Sequence, residues 1–420
     1  MSMKKTPVTG MKDILPAEMQ LRDYMINLIK ETYKGFGFSS IETPAVEHIE
    51  NLSSKQGGEN EKLIFKVLKR GEKLNLETAK TEEDLVDSGL RYDLTVPLSR
   101  YYANNANQLP MPFKALQIGS VWRADRPQKG RFRQFVQCDI DILGDSSSLA
   151  EIELILATTT LLGKLGFKGY KVRINDRRIL KAMAAYSGFD ALSFDQVFII
   201  LDKMDKIGLD GVAVELEKEG FGKENIDKYL NLFKEISGDI AGIQYCSEKL
   251  NEVLEADVAK DLENIIYSVQ ETAENNFQII FDPTLVRGMS YYTGSIFEIE
   301  MEEFGGSVAG GGRYDEMIGK FTGMQTSACG FSIGFERIIT ILVDKGFTVP
   351  SHGEKIVFLI EKGIDGEKLC EIIKEAMVLR NDGVEVLVTQ MNKNKKFQKE
   401  QLKKEGYEEF KEFFLNKFSK

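Results

Sequence analysis

The stretch Lys114–Gly144, KALQIGSVWRADRPQKGRFRQFVQCDIDILG, constrains the fold more than any other, because it reads as two long strands that must pair with each other. In its second limb Val136, Cys138, Ile140 and Ile142 alternate with Gln137, Asp139 and Asp141, so one face is core and the other polar. The first limb carries Arg123 to its end, and the connector ADRPQKG holds the Pro and Gly that reverse a chain. The expected product is an antiparallel hairpin with arginines at its tip and carboxylates along one strand. Arg123, Arg126, Arg131 and Arg133 offer planar forks suited to phosphate, whereas ionised Asp139 and Asp141 only accept hydrogen bonds. A pocket with both would take a phosphate ester beside a cationic or donor-rich small molecule. Alone, such a hairpin is more often a solvated surface of mixed charge, so its meaning depends on the rest of the chain.

At 420 residues the chain has room for two or three domains and needs no disulfide or metal staple. Its four cysteines, Cys138, Cys246, Cys329 and Cys370, form no C-x-x-C pair, and its only histidines are His48 and His352. Zinc-ligand spacing is therefore absent, no metal site is expected, and the cysteine usage fits a reducing cytoplasm. No apolar run follows Lys4 and Lys5, and no later stretch is uncharged enough to span a bilayer, so a soluble intracellular protein without a membrane partner is expected. The net charge of −10 argues against indiscriminate nucleic-acid binding, with no DNA partner expected, yet a local basic surface can still grip one RNA.

Along the chain, Leu21, Tyr24, Met25, Leu28 and Ile29 recur at helical spacing until Gly35 and Gly37. FSSIETPAVEHI, Phe38–Ile49, alternates like a strand, with Pro44 fit only for an edge, a bulge or an intersubunit seam. In LRYDLTVPLSRYY, Arg91, Asp93 and Thr95 share one side and Pro97 opens a helix; Asp93 alone reads as a helix-entry acid. From about Ser187 to Asn275 the composition turns to Lys/Glu-rich helices, which reads as an inserted helical domain. Strands resume at Phe277, and Arg287, Tyr291 and Tyr292 are expected to face a cavity. In SVAGGGRYDEMI, Gly310, Gly311 and Gly312 let the backbone pass close to a ligand, though a triple Gly is as often a turn. CGFSIGFERIITILVDKG reads as a strand entering a helix whose first turns carry Arg337, a position that suits an anionic ligand. After His352 a small βαβα unit ends in the aromatic, basic segment GYEEFKEFFLNKFSK.

Taken together, these segments resemble the class II aminoacyl-tRNA synthetases and, within them, the histidyl-tRNA synthetase family, over about Thr6–Lys345. Phe38–Ile49 is similar to motif 1, which forms the family's homodimer interface; VWRADRPQKGRFRQFVQCD is similar to motif 2 and GFSIGFERI to motif 3. LRYDLT, LVRGMSYYTG and AGGGRYD are the segments that point to histidine.

The resemblance implies an α+β fold: a class II antiparallel sheet flanked by helices, with a helical insertion and a small C-terminal α/β domain. Its parts would be a catalytic core at 1–186 and 276–348, an inserted domain at 187–275 and a shortened anticodon-binding-like domain at 353–420. It implies an ATP-dependent ligase that forms histidyl-adenylate and transfers histidine to tRNA(His), with Mg2+ accompanying ATP. By resemblance Arg123 and Arg287 are catalytic, flanking the α-phosphate. Asp93, Leu94, Thr95, Gln137, Asp141, Tyr291 and Tyr292 join those two arginines around histidine, with Asp141 and Tyr292 on the imidazole nitrogens. Asp125, Arg131, Phe135 and Arg337 join Arg123 around ATP, Phe135 stacking on adenine. The chain departs from the family pattern at Ser290, where Asp is common, and at Asp93 and Asp141, where Glu is common. Its tail also stops early. The short tail suits an alternative, the non-catalytic histidine-sensing regulatory subunit of ATP phosphoribosyltransferase, but a sensor needs no full set of phosphate arginines.

Overall fold

The hairpin forms as its alternation requires. In the computed structural model, which describes residues 3–53, 61–128, 130–286, 291–350 and 353–415, its limbs are two ten-residue strands paired from Phe113↔Leu143 to Trp122↔Gln134. They sit inside an eight-stranded sheet whose strands, in chain order, are β1 (Ser39–Ile41), β2 (Phe113–Trp122), β3 (Gln134–Leu143), β4 (Tyr170–Asp176), β5 (Phe277–Phe281), β6 (Ser295–Met301), β7 (Gly306–Arg313) and β8 (Ala328–Ile333). The spatial order is β1-β2-β3-β8-β7-β6-β4-β5. The six strands from β2 to β4 pair antiparallel, and β1 and β5 each add parallel to an edge. This is the α+β architecture expected.

Helices α1 (Pro16–Gly35), α2 (Thr95–Asn105), α3 (Leu149–Lys164), α4 (Asp315–Thr322) and α5 (Phe335–Asp344) accompany the sheet. On α5, Phe335, Ile338, Ile339 and Leu342 are buried at helical spacing. The helices Phe194–Leu201, Met204–Lys218, Lys223–Glu235, Ile240–Lys249 and Ala256–Thr272 follow in succession, and Met204–Lys218 is broken at Gly208, whose φ of 67° no other residue adopts cheaply. Phe38–Ile49, expected as one strand, splits in two: β1 pairs with β2, while Val46–His48 pairs with Val86–Leu90 in a separate three-stranded sheet. Pro44 lies between the halves and has no N–H to carry a ladder through.

The chain divides into two units, Met1–Asp13 with Arg22–Gly346, and Ile14–Leu21 with Phe347–Lys420. The second contains β9 (Lys355–Ile360), α6 (Gly366–Asn381), β10 (Glu385–Gln390), α7 (Lys395–Lys404) and β11 (Glu409–Phe413), in a parallel sheet ordered β10-β9-β11. The expected βαβα unit is thus corrected to βαβαβ, the last strand coming from the segment read as an aromatic, basic end. Phe358 and Ile360 pack on one face of this sheet with Ile372 and Ala376 of α6, and Val357, Leu359 and Tyr407 on the other.

Two buried ion pairs brace the first unit, one between sheet and helix and one between two helices. Arg313, at the end of β7, donates from Nε and Nη2 to Glu151 of α3, both at 2.7 Å, and reaches the carbonyls of Asp145 and Ser147 at 3.0 Å. Arg22 of α1 makes the same fork with Glu336 of α5, again at 2.7 Å twice. Planar guanidinium matched to carboxylate gives such pairs direction as well as strength. Replacing Glu151 by Ala strands a buried guanidinium, and is expected to destabilise the first unit by about 3–5 kcal/mol, read as an earlier urea transition.

Candidate active site

The polar face of β3 is not the solvated surface that its charges allow. Asp139 and Asp141 are both 3% exposed, and they project from the sheet into a cavity of about 740 Å³. Register explains the company they keep: Ser332 of β8 is paired with Asp139, and Gly330 with Asp141. A Cβ on Gly330 would lie 2.1 Å from Asp141 Oδ1, so only glycine leaves this carboxyl its place. Gly311, one strand further, has no room either, since its Cβ would meet the Gly330 carbonyl oxygen at 2.0 Å. Of the glycine run, Gly310 lines the cavity and Gly311 lets the strands close.

Thr95, Arg123, Asp125, Arg131, Phe135, Gln137, Asp141, Tyr291, Tyr292 and Arg337 all line this one cavity. Asp93 and Leu94 are buried at the start of α2 behind Thr95 and are not among its lining residues. Arg287 and Ser290 lie outside the described residues. Asp93 is the helix-entry acid its position announced: its Oδ1 accepts the Val96 N–H at 3.1 Å.

The inner end of the cavity is rich in acceptors. Gln137 Nε2 donates to Asp139 Oδ2 and to Ser332 Oγ, each at 3.2 Å, and the Tyr314 hydroxyl donates to Asp141 Oδ1 at 2.6 Å. Asp93 Oδ2, Gln137 Oε1 and Asp141 Oδ2 remain buried with no hydrogen-bond partner among the described residues. Unpaired buried acceptors are costly, so this end is built to receive donors. Burial raises all three carboxyls: Asp93 above its ordinary range, Asp139 well above it with Asp141 adding to the effect, and Asp141 to about 7. The Tyr314 hydrogen bond holds Asp141 lower than burial alone would. Tyr291 packs against Tyr292 at a tilt and edge-to-face against Tyr314, with ring centroids 4.8 and 6.0 Å away.

The outer end is cationic. Arg123 donates Nε to the Tyr92 carbonyl at 2.8 Å and lies 5.3 Å from the Phe135 ring centroid. Arg131 is 3.8 Å from Asp125, a half-exposed pair that an arriving phosphate can displace at little cost. Arg337 donates to the Ser307 carbonyl and sits 5.5 Å from the Phe304 ring. Asp202 and Lys206, from the helical stretch, also line the cavity. No cluster of His, Cys, Asp or Glu among the described residues has the arrangement to hold a metal ion, and no helix among them is long and apolar enough to cross a membrane.

Tyr314, Ser332 and Glu336 are site residues to which the sequence alone gave no role, and Asp139 was read only as a general acceptor beside Asp141. Tyr314 and Ser332 were legible only as parts of AGGGRYD and CGFSIGFERI. Glu336 supports the site from below, since its Oε1 accepts the Val136 N–H of β3 at 3.2 Å as well as pairing with Arg22.

Residues 10–338 match the family model described as histidyl-tRNA synthetase. The chain belongs to the histidyl-tRNA synthetase family. It is 45% identical over 346 residues to the histidine–tRNA ligase of Leifsonia xyli subsp. xyli, covering 80% of each chain. It is 40% identical over 425 aligned positions to the probable histidine–tRNA ligase of Tropheryma whipplei (strain Twist), covering 97% of this chain and 95% of that relative. Among solved structures, the crystal structure of histidyl-tRNA synthetase from Nostoc sp. PCC 7120 superposes with a TM-score of 0.77 at 28% identity, over 96% of this chain and 90% of that one. An ATP phosphoribosyltransferase regulatory subunit/histidyl-tRNA synthetase from Bacillus halodurans C shares the fold, with a TM-score of 0.76 at 21% identity over 98% of both.

Asp141 binds its proton more tightly in the folded protein than in the unfolded chain. Its contribution therefore favours folding at pH below its ordinary value of 3.8 and is lost as the pH rises through about 7. Asp141→Asn is expected to abolish that share of the pH dependence. Thermal unfolding followed from pH 5 to pH 8 should accordingly show a flatter profile for the variant.

Proposed function

We propose that the cavity is a histidine- and ATP-binding site and that this chain is an ATP-dependent histidine–tRNA ligase. One observation supports the reading above others: a buried, acceptor-rich end, where Gln137 Oε1 and Asp141 Oδ2 have no partner among the described residues, faces a cationic outer end. An amino acid whose ammonium and imidazole supply donors fits the first, and a polyphosphate fits the second. Asp93, Thr95 and Gln137 receive the amino group, Leu94 contributing backbone, while Asp141 and Tyr292 engage the two imidazole nitrogens with Tyr291 lining the pocket. A site that pairs both ring nitrogens rejects analogues lacking either.

In the first step the histidine carboxylate attacks the α-phosphorus of ATP, a P–O bond forms and pyrophosphate leaves. In the second, a ribose hydroxyl of the terminal adenosine of tRNA(His) attacks the adenylate carbonyl and AMP departs. No protein nucleophile is needed; alignment of two anions and fixed positive charge at phosphorus supply the catalysis. Arg123 and Arg287 take the α-phosphate, Arg337 the γ-phosphate, and Phe135 the adenine face, which Arg123 now covers. Asp125 and Arg131 close the hairpin tip over the nucleotide. Mg2+ carried in with ATP would screen the charge of its phosphates. A regulatory, non-catalytic role is disfavoured because Arg123 and Arg337 both line the cavity beside the acceptor-rich end.

The helical insertion touches the acceptor arm of the tRNA, and the protein works in the cytoplasm as a homodimer formed through Phe38–Ile49. That segment is linked to the turn that carries Thr95: Arg91 donates to the Thr43 carbonyl at 2.6 Å and to its hydroxyl at 3.1 Å, the Thr43 hydroxyl donates to Gln117 Oε1 at 3.3 Å, and Gln117 donates to the Leu94 carbonyl at 3.2 Å. Sedimentation equilibrium should return twice the chain mass.

Histidine-dependent exchange of labelled pyrophosphate into ATP, with other amino acids as controls, tests the reading directly. Exchange with histidine alone is expected, and charging of tRNA by the same preparation should follow. Arg123→Ala is expected to lower the exchange rate about 10²–10³-fold. Arg287→Ala should abolish adenylation with histidine binding retained. Absence of exchange in a preparation that still binds histidine would overturn the catalytic assignment.

A further inference from the structure

The family reading gives Gln137 a contact with the amino group but says nothing of what decides which end of its amide meets the ligand. A glutamine amide offers an acceptor at one end and two donors at the other, and an ammonium has donors only. With the amide reversed, N–H would face N–H and the pocket would repel its own substrate.

The structure settles the choice through neighbours on the same sheet face. Gln137 and Asp139 are two residues apart on β3 and so project together, and register places Ser332 of β8 beside Asp139. Gln137 Nε2 lies 3.2 Å from Asp139 Oδ2, 3.4 Å from Asp139 Oδ1 and 3.2 Å from Ser332 Oγ, which engages both of its hydrogens. Gln137 Oε1 is the atom left over, buried and without a partner among the described residues. We propose that Asp139 is a positioning residue that holds the Gln137 amide with its oxygen towards the α-ammonium of the bound amino acid, so that the pocket selects ligands carrying a free amino group. This rests on the histidine-pocket reading above.

The charges around Asp139 support the same arrangement. Asp141 and Asp93 on one side and Arg123 and Arg91 on the other are the charged groups that act on it, and burial with Asp141 raises its proton affinity. An entering ammonium favours the ionised form of Asp139. That form accepts only, which fixes the Gln137 nitrogen towards it and the oxygen towards the ammonium. Substrate charge and amide orientation therefore reinforce one another.

The test compares dissociation constants for histidine and for 3-(imidazol-4-yl)propionate, which lacks the amino group, by calorimetry on the full chain. Asp139→Asn, whose side chain can donate or accept, releases the orientation. Preference for histidine is expected to fall about tenfold or more, with binding of the deaminated analogue nearly unchanged. In pyrophosphate exchange the KM for histidine should rise more than kcat falls. The double variant Asp139→Asn/Gln137→Glu should regain the preference, because a carboxylate presents oxygen whichever way it turns. Ser332→Ala, which removes the other anchor without changing charge, should give a smaller fall and decides the matter where Asp139→Asn does not fold. Equal weakening of both ligands, or an unchanged preference in folded Asp139→Asn or in Ser332→Ala, overturns the proposal. Wild-type protein that shows no preference for histidine over other amino acids would instead remove the pocket reading, and this proposal with it.

Discussion

Three buried carboxyl groups, two of them in the cavity wall and the third, Asp93, behind it, are the constraint around which the rest of the molecule is arranged. Asp93, Asp139 and Asp141 are each buried, and burial raises the proton affinity of all three. Left to itself, such a cluster would pull its strands towards solvent. The fold answers with rigid neighbours. The Val96 N–H fixes Asp93, the Tyr314 hydroxyl fixes Asp141, the fork of Arg22 on Glu336 joins α1 to α5, and that of Arg313 on Glu151 joins β7 to α3. The result is an unmet demand for hydrogen-bond donors, held in a fixed place.

The same demand explains the glycines. A sheet with ordinary side chains at positions 311 and 330 would push β7 and β8 apart and displace Asp141 from its position over the strand. The glycine run thus serves sheet closure first, and access for a ligand only at Gly310. Conversely, the arginines at the outer end are kept from collapsing onto the carboxyls by partners of their own. Arg123 is held by the Tyr92 carbonyl and Phe135, and Arg337 by the Ser307 carbonyl and Phe304.

The large-scale fold was legible where a local pattern carried it. The hairpin and its register followed from strict alternation and one tight connector. The third strand of the C-terminal unit was missed because Phe410 and Phe413 pack on opposite faces of a sheet covered on both sides, so Glu409–Phe413 shows no clean two-residue period. The break in Phe38–Ile49 reflects two different partners, β2 and Val86–Leu90, which no local rule reveals. Within the site, most of the residues carried by motif resemblance line one cavity, while Asp93 and Leu94 lie behind it. Tyr314, Ser332 and the working role of Asp139 did not show, because each depends on register between β3 and β8 or on the turn out of β7, and register is a long-range fact.

Pro44 has an effect at the far margin of the sheet. A row of unpaired N–H and C=O groups along an outer strand is a template on which another chain can polymerise. Here β1 offers only the backbone of Ser39–Ile41, and Pro44, three residues past its end, supplies no amide hydrogen with which to extend the ladder. The parallel ladder on that side of the sheet thus stops at the three residues of β1.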